Sequence, residues 1–453
     1  MTAPLALVPF AGEGSRTAAL VGRLVEGPLT RPRVAVRLSV GGTGLLALTA
    51  ACAPNNHTLD VRLPLSLPFP MPGLVSTLLT FSALVLSGLG LAGMLGAAKR
   101  GWSPSPRTLR RAGVAAVAVF VGLTPVGSAD MASYAAYGRI AAMGADPYVS
   151  TPADLGGAYA SLVSDVWVHT PSVYGPMATW AQAGAALIGG VHPWVTIWIL
   201  MIANGAVFLA VGQLLLRTCE DKVRAGLLWV ANPILIGQLV AGGHLDTYMA
   251  ALAVCAVHQL RRGTRLRHDV FAGVLIGLAC GFKVSAVLLG AGLAWPVLRD
   301  NGPWRVVRLA LTAALTLVGL YGAYGLHALA PLSAASGLVS DLSPWGVLRS
   351  LGGTVVGPAV VAAVISALWP VLMLAMTPVI RRRVLREPAD TVTGPLVLNC
   401  AWLLVAPWTM PWYTAMAWAL AARLPRNPLV PWLTVATVSL ALLHNSGGHG
   451  WTW

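Results

Sequence analysis

Read along its length, the chain alternates long apolar runs with short loops that carry most of its arginines. The runs fall near 39–53, 74–97, 112–129, 225–241, 247–260, 270–281, 285–297, 309–330, 354–380, 393–407, 412–422 and 428–443. Most approach the roughly 20 residues that take a helix across a bilayer. The pattern predicts an all-α polytopic membrane protein of about 13 transmembrane helices. Between Pro176 and Leu216 two apolar segments meet at Val191 to Trp194 where the flanking charges allow one net crossing, so one of them must be short, re-entrant or a surface helix. Residues 130–173 form the longest stretch without a clear span and are expected to build a loop subdomain of short interfacial helices. Its first part, from Asp130, is rich in tyrosine and reads as an amphipathic segment suited to lie along the bilayer.

Composition agrees with the pattern. The 453 residues are 56% hydrophobic and 10% charged, a balance that a water-soluble globule of this size cannot cover with polar surface. The formal charge of +15 raises nucleic acid as a partner, but the basic residues lie in short loops between apolar runs rather than on one face. Membrane topology accounts for them instead. With the N-terminus inside, 26 of the 30 basic residues are cytoplasmic and only Arg62, Arg139, Lys283 and Arg349 face outward, an asymmetry large enough to set the orientation. Residues 1–38 are then a basic cytoplasmic tail expected to be poorly ordered, 39–443 the membrane domain, and 444–453 an outer tail.

The five cysteines lie in or beside apolar segments and imply no disulfide framework. The run ending at Cys52 faintly resembles a lipoprotein cleavage box, but the long polar segment before it favours a first membrane helix.

In this orientation the awkward polar groups gather on one face: Asp130, one residue past the end of a span, Arg139, Tyr174 in PSVYGP, His244 and Asp246 in GGHLD, Lys283 in GFK, and the aromatics of PWTMPWY. Each has a plainer reading. Asp130 is at a solvated helix terminus, Asp246 a helix cap, Lys283 a snorkelling side chain, Trp408 and Trp412 aromatic-belt anchors, and Tyr174 to Pro176 a turn before a helix. For His444 and His449 no third ligand at suitable spacing supports a metal site. Random placement would have scattered the polar groups over both faces, and their convergence is the sequence's main argument for a site.

The successive motifs GSADMASYAAYGRIAAMGADPYV, TPSVYGPMATW, NPILIGQLVAGGHLDTYMAAL, GFKVSAVLL and PWTMPWYTAMAWAL, from about residue 110 onward, resemble those of the polyprenol-phosphate-mannose-dependent α-(1→6)-mannopyranosyltransferases of actinobacterial membranes, in the type C glycosyltransferase superfamily. The resemblance implies that fold, a polyprenyl-phosphate sugar donor, a glycan or glycolipid acceptor, and a catalytic base at the position of Asp130. It further implies an inverting transfer by single displacement. Lys283 and Arg139 are the outer cations available to a lipid-phosphate leaving group, and His244 is a candidate hydrogen-bond donor to it. Tyr134, Tyr137, Tyr174, Asp246, Trp412 and Tyr413 are candidate substrate contacts. A monophosphate leaving group with such donors does not demand a metal, so no cofactor is expected. The alternatives are transfer of another lipid-linked sugar such as glucose or arabinose, a transporter or flippase, and a non-catalytic scaffold. A transporter would place ionisable residues near the bilayer midplane within broken helices.

Overall fold

The computed structural model describes residues 27–384 and 391–444, and within them the chain is helical throughout, with a single isolated bridge between Thr58 and Val126. The N-terminal tail to residue 26, Arg386 and the C-terminal tail with His449 lie outside the described residues. The principal helices are α1 (Pro32–Ala51), α2 (Gly73–Lys99), α3 (Pro106–Phe120), α4 (Asp130–Ala142), α5 (Pro176–Gly189), α6 (Pro193–Thr218), α7 (Lys222–Ala241) and α8 (Asp246–Arg261). They continue with α9 (Leu266–Phe282), α10 (Val287–Asn301), α11 (Pro303–Gly322), α12 (Pro344–Val356), α13 (Pro358–Val384), α14 (Thr393–Val405), α15 (Ala415–Ala421) and α16 (Leu429–His444).

Six of these, α1, α2, α6, α7, α11 and α13, are long and apolar enough to cross a membrane by themselves, and α14 and α16 are shorter apolar helices. Proline opens many of them, where its missing N–H costs no helical hydrogen bond. The α1–α2 hairpin packs through small residues, Ser39 and Gly42 on one helix against Ala83, Ser87 and Gly90 on the other, which brings the backbones close without a large apolar interface. Helices α12 and α13 present mostly exposed apolar side chains, as a lipid-facing edge would.

Several expected boundaries move. The first helix begins at Pro32, so residues 32–38 belong to it and not to the tail. The third ends at Phe120, leaving 121–129 as a connector held by the bond from Val126 N to Ala241 O. Asp130 therefore opens α4 instead of trailing a span. The short member of the 176–216 pair is α5, whose 14 residues reach only about 21 Å.

The α4 segment is not amphipathic: Met131 to Gly138 are all buried, so it is an internal helix and not one lying on a bilayer. Helices α5 and α6 pack on it, and the one-turn helices Pro152–Leu155 and Gly157–Ala160 close over it. Helix α12 has no counterpart among the expected spans, because Arg349 and two adjacent glycines interrupt its apolar run.

Candidate functional site

Five segments far apart in sequence meet at one end of the bundle. Their junctions explain why. The Tyr174–Gly175–Pro176 turn donates from Gly175 N to Phe282 O (3.2 Å), and a β-carbon on Gly175 would strike the Gly281 carbonyl. Two backbones in direct contact thus set Tyr174 beside Lys283. Gly243 adopts φ +73°, a conformation that side chains disfavour, and the turn it makes folds His244 back over the end of α7.

That end of α7 is wound as a π-helix over Ile236–Ala241. Gly242 N and His244 N bond to Gly237 O and Leu239 O, five residues back, and the Gln238 carbonyl between them accepts from His244 Nδ1. Asn232, which breaks the helix upstream, accepts from Ile234 N and Leu235 N and donates to Leu228 O, so the interruption leaves few polar groups unpaired. Functional sites often sit at such π-turns.

Asp130 keeps 24% of its side chain accessible and accepts from Tyr134 Oη at 3.1 Å, while its own N–H donates to Ser128 Oγ. Burial of the remainder raises its carboxyl above the usual carboxylate range, an effect that the nearby Lys283 charge opposes. His244 Nε2 stands 3.7 Å from Asp130 Oδ2, and the His244 ring, 1% exposed, stacks on Trp412 at 3.6 Å between centroids. Burial pushes the imidazole down to about 3, so it is neutral at physiological pH. With its single N–H committed to Gln238 O, it has no hydrogen left to donate to a phosphate.

Asp246 is 1% exposed and accepts from Lys283 Nζ through both oxygens, at 3.1 and 2.9 Å. It therefore holds the lysine and is not itself open to substrate. Lys283, 13% exposed and folded inward over the Tyr413 ring at 3.7 Å, does not snorkel. Trp412, 4% exposed, is no belt anchor either. Tyr174 packs edge-on to Tyr134 at 4.9 Å and is tilted against Tyr137, whose hydroxyl donates to Thr170 O.

Nine of the ten residues singled out from the sequence are thus brought together. Arg139 is not. It lies nine residues beyond Asp130 on α4, about 13 Å along the axis and half a turn away. The expected turn at Tyr174, with Pro176 opening a helix, is present. His444, placed in a tail from the sequence, is the last residue of α16 and faces Trp412 at 5.6 Å. Among the described residues no three His, Cys, Asp or Glu side chains gather as metal ligands. Two partners escaped the sequence reading: the Gln238 carbonyl, freed only by the π-turn, and Ser128, two residues before the carboxylate it supports.

Comparison with known proteins adds an independent line. Residues 35–299 match the model of the alpha-(1->6)-mannopyranosyltransferase N-terminal domain. An alpha-(1->6)-mannopyranosyltransferase of Mycobacterium tuberculosis is 32% identical over 146 residues, 31% of this chain and 25% of that protein. Alpha-(1->6)-mannopyranosyltransferase B of Corynebacterium glutamicum is 29% identical over 290 residues, 56% of this chain and 46% of its own. Alpha-(1->6)-mannopyranosyltransferase A of Mycobacterium tuberculosis is 26% identical over 418 residues, 82% of this chain and 77% of its own. Against the first relatives the matched region spans only a quarter to a half of their length. No solved structure matches the chain.

Proposed function

The chain belongs to the alpha-(1->6)-mannopyranosyltransferase family, and on that premise we propose that it moves mannose from a polyprenyl-phosphate donor to a glycan or glycolipid acceptor, inverting the anomeric centre, with Asp130 as the catalytic base. The single observation that carries this reading is the state of Asp130: a carboxylate raised by burial, still a quarter accessible, and met by a tyrosine hydroxyl and a neutral imidazole. A carboxylate so placed is suited to take a proton from an incoming hydroxyl.

The donor's phosphate carries negative charge before and during departure, and Lys283 is the cation beside Asp130. Two of its ammonium hydrogens serve Asp246, leaving one for a phosphate oxygen. The Tyr413 ring under the ammonium holds it in place. Tyr174 and Tyr413, the partly exposed aromatics of the site, supply the walls against which a sugar ring and an isoprenoid phosphate would rest, with the buried Tyr134, Tyr137 and Trp412 packed behind them. Arg139 has no part in this subsite.

The site belongs on the outer face of the plasma membrane, because the arginine-rich loops at the other end of the bundle resist translocation. The test is transfer of radiolabelled mannose from a polyprenyl-phosphate mannose donor in isolated membranes, wild type against Asp130→Asn. Transfer by wild type that Asp130→Asn loses supports the proposal; equal transfer by both removes Asp130 from the role. Topology is checked separately in intact cells. A membrane-impermeant thiol reagent should label Ser161→Cys and spare Arg265→Cys. The reverse pattern would place the site in the cytoplasm and end the lipid-phosphate mechanism.

A further inference from the structure

At the centre of the site two atoms that can only accept hydrogen bonds face each other. A carbonyl cannot donate, so His244 Nδ1 donates to Gln238 O and the neutral ring keeps a lone pair at Nε2. That nitrogen is buried, has no hydrogen-bond partner among the described residues, and points at Asp130 Oδ2 from 3.7 Å. An ionised Asp130 has nothing to offer it. A proton on Asp130 would turn the mismatch into an O–H···N hydrogen bond after a closing movement of about 1 Å, well within the freedom of a partly exposed side chain.

We infer that His244 is a positioning residue that holds the proton Asp130 removes. The inference rests on the transfer reading above. As the acceptor oxygen bonds to the anomeric carbon, the bond from that carbon to the phosphate oxygen breaks and its electron pair leaves with the lipid phosphate. The hydroxyl proton passes to Asp130 Oδ2, where the lone pair of His244 Nε2 receives it in a hydrogen bond. His244 thereby raises the proton affinity of the base without donating to substrate.

The ring is fixed for this task. Trp412 covers one face, and the Nδ1 bond to the Gln238 carbonyl excludes the tautomer that would carry the hydrogen at Nε2. Lys283 and His444 both disfavour a charge on the imidazole, in the same direction as burial. The other groups that bear on Asp130 are Tyr134 and Tyr137 on its own helix, and Tyr174, Asp246, Lys283 and Tyr413 from the elements packed against it. Among these Tyr134 donates to the carboxylate, so its effect on proton affinity is opposite in sign to that of His244.

The sign is what the experiment reads. In the purified full-length protein, the infrared carbonyl stretch of the protonated Asp130 carboxyl, identified by its loss in Asp130→Asn, is titrated against pH. His244→Asn keeps a donor near Gln238 O and removes the acceptor, so the midpoint should fall by about one pH unit, roughly tenfold in proton affinity. Tyr134→Phe should raise it. His244→Phe, which keeps a ring over Trp412 and carries no acceptor, is the second variant if the asparagine does not fold, and it too should lower the midpoint. An unmoved midpoint would mean that His244 only packs. A raised one would mean that an imidazolium had been paired with Asp130, and either result overturns the inference. In transfer assays the acid limb of kcat/KM should move down with the midpoint, with kcat reduced about 10-fold and donor KM little changed. Since the infrared titration needs no turnover, failure of wild type to transfer mannose would defeat the functional reading while the midpoint still decides this one.

Discussion

Helix α9 carries one ionic cluster at each of its ends, and the two are built to opposite purposes. At its start Asp269, with no exposed side-chain surface, meets Arg305 Nε at 2.6 Å and Arg308 Nη2 at 2.9 Å. Three of the four remaining hydrogens of Arg305 go to Asn301 Oδ1, Gly263 O and Leu260 O. About 21 Å along the helix stands Lys283, and beyond it Asp130 keeps open surface and faces a lone pair. The first cluster pairs its carboxylate with two arginines, ties α9 to α11 and keeps no carboxylate surface open to a ligand. The second leaves Asp130 partly accessible and opposite an unpaired nitrogen, the combination expected where a ligand binds.

The comparison breaks most sharply on stability. Asp269→Asn leaves Arg305 buried without its counter-charge, and unfolding in detergent should show a loss of about 3–5 kcal/mol. Asp130→Asn should leave the unfolding midpoint near that of wild type. Equal losses in the two variants would mean that both carboxylates are structural.

The next effect is on rate. Asp130→Asn should lower mannosyl transfer by on the order of 100-fold, about 2.7 kcal/mol, while donor binding persists. The pH profile sharpens the point. The base works ionised, and burial raises its carboxyl, so activity should be lost as pH falls through a midpoint above the usual carboxylate range. An acid limb at or below that range would argue against Asp130 as the group that titrates.

A smaller loss is expected on the donor side. Lys283→Met should weaken binding of the phosphate donor by on the order of 10-fold, because one charge-assisted hydrogen bond disappears. Unchanged donor affinity would confine the lysine to its partner Asp246. The smallest effect belongs to the exposed pair of His327 and Asp146 at 2.6 Å, which joins the loop after α4 to the loop after α11. Asp146→Asn should cost under about 1 kcal/mol and leave transfer near wild type.

Much of the site could be read from the sequence for one reason. Asp130, His244, Asp246, Lys283 and Trp412 each stand at the end of an apolar run, where a polar or amphipathic residue is conspicuous. What each does there could not be read. The split of duties between Asp130 and Asp246 depends on which of them Lys283 grips, a fact of three dimensions. The tautomer of His244 depends on a carbonyl that a π-turn happens to release. Charge and side of the membrane single out Arg139, but helical phase separates it from Asp130, since nine residues on is half a turn out. The tyrosines and arginine of α4 suggest an interfacial helix; its burial comes from α5 and α6, which its own residues do not announce. The fold class followed from hydrophobic pattern alone, whereas α12, with a charge and paired glycines, gave no run to count.

The contact of Gly175 with Gly281 restricts what variation this site can explore. Tyr174 and Lys283 are separated by more than a hundred positions in the chain, yet their relative placement is set where two bare backbones touch. No substitution at Gly175 is small, since even the first carbon of a side chain would meet main chain that cannot turn aside. Distance across that seam can therefore change only by moving whole helices, α5 against α9. A mutational path toward a different sugar or a bulkier acceptor would have to run through the other wall, at Trp412 and Tyr413, where flexible side chains and not backbone define the boundary.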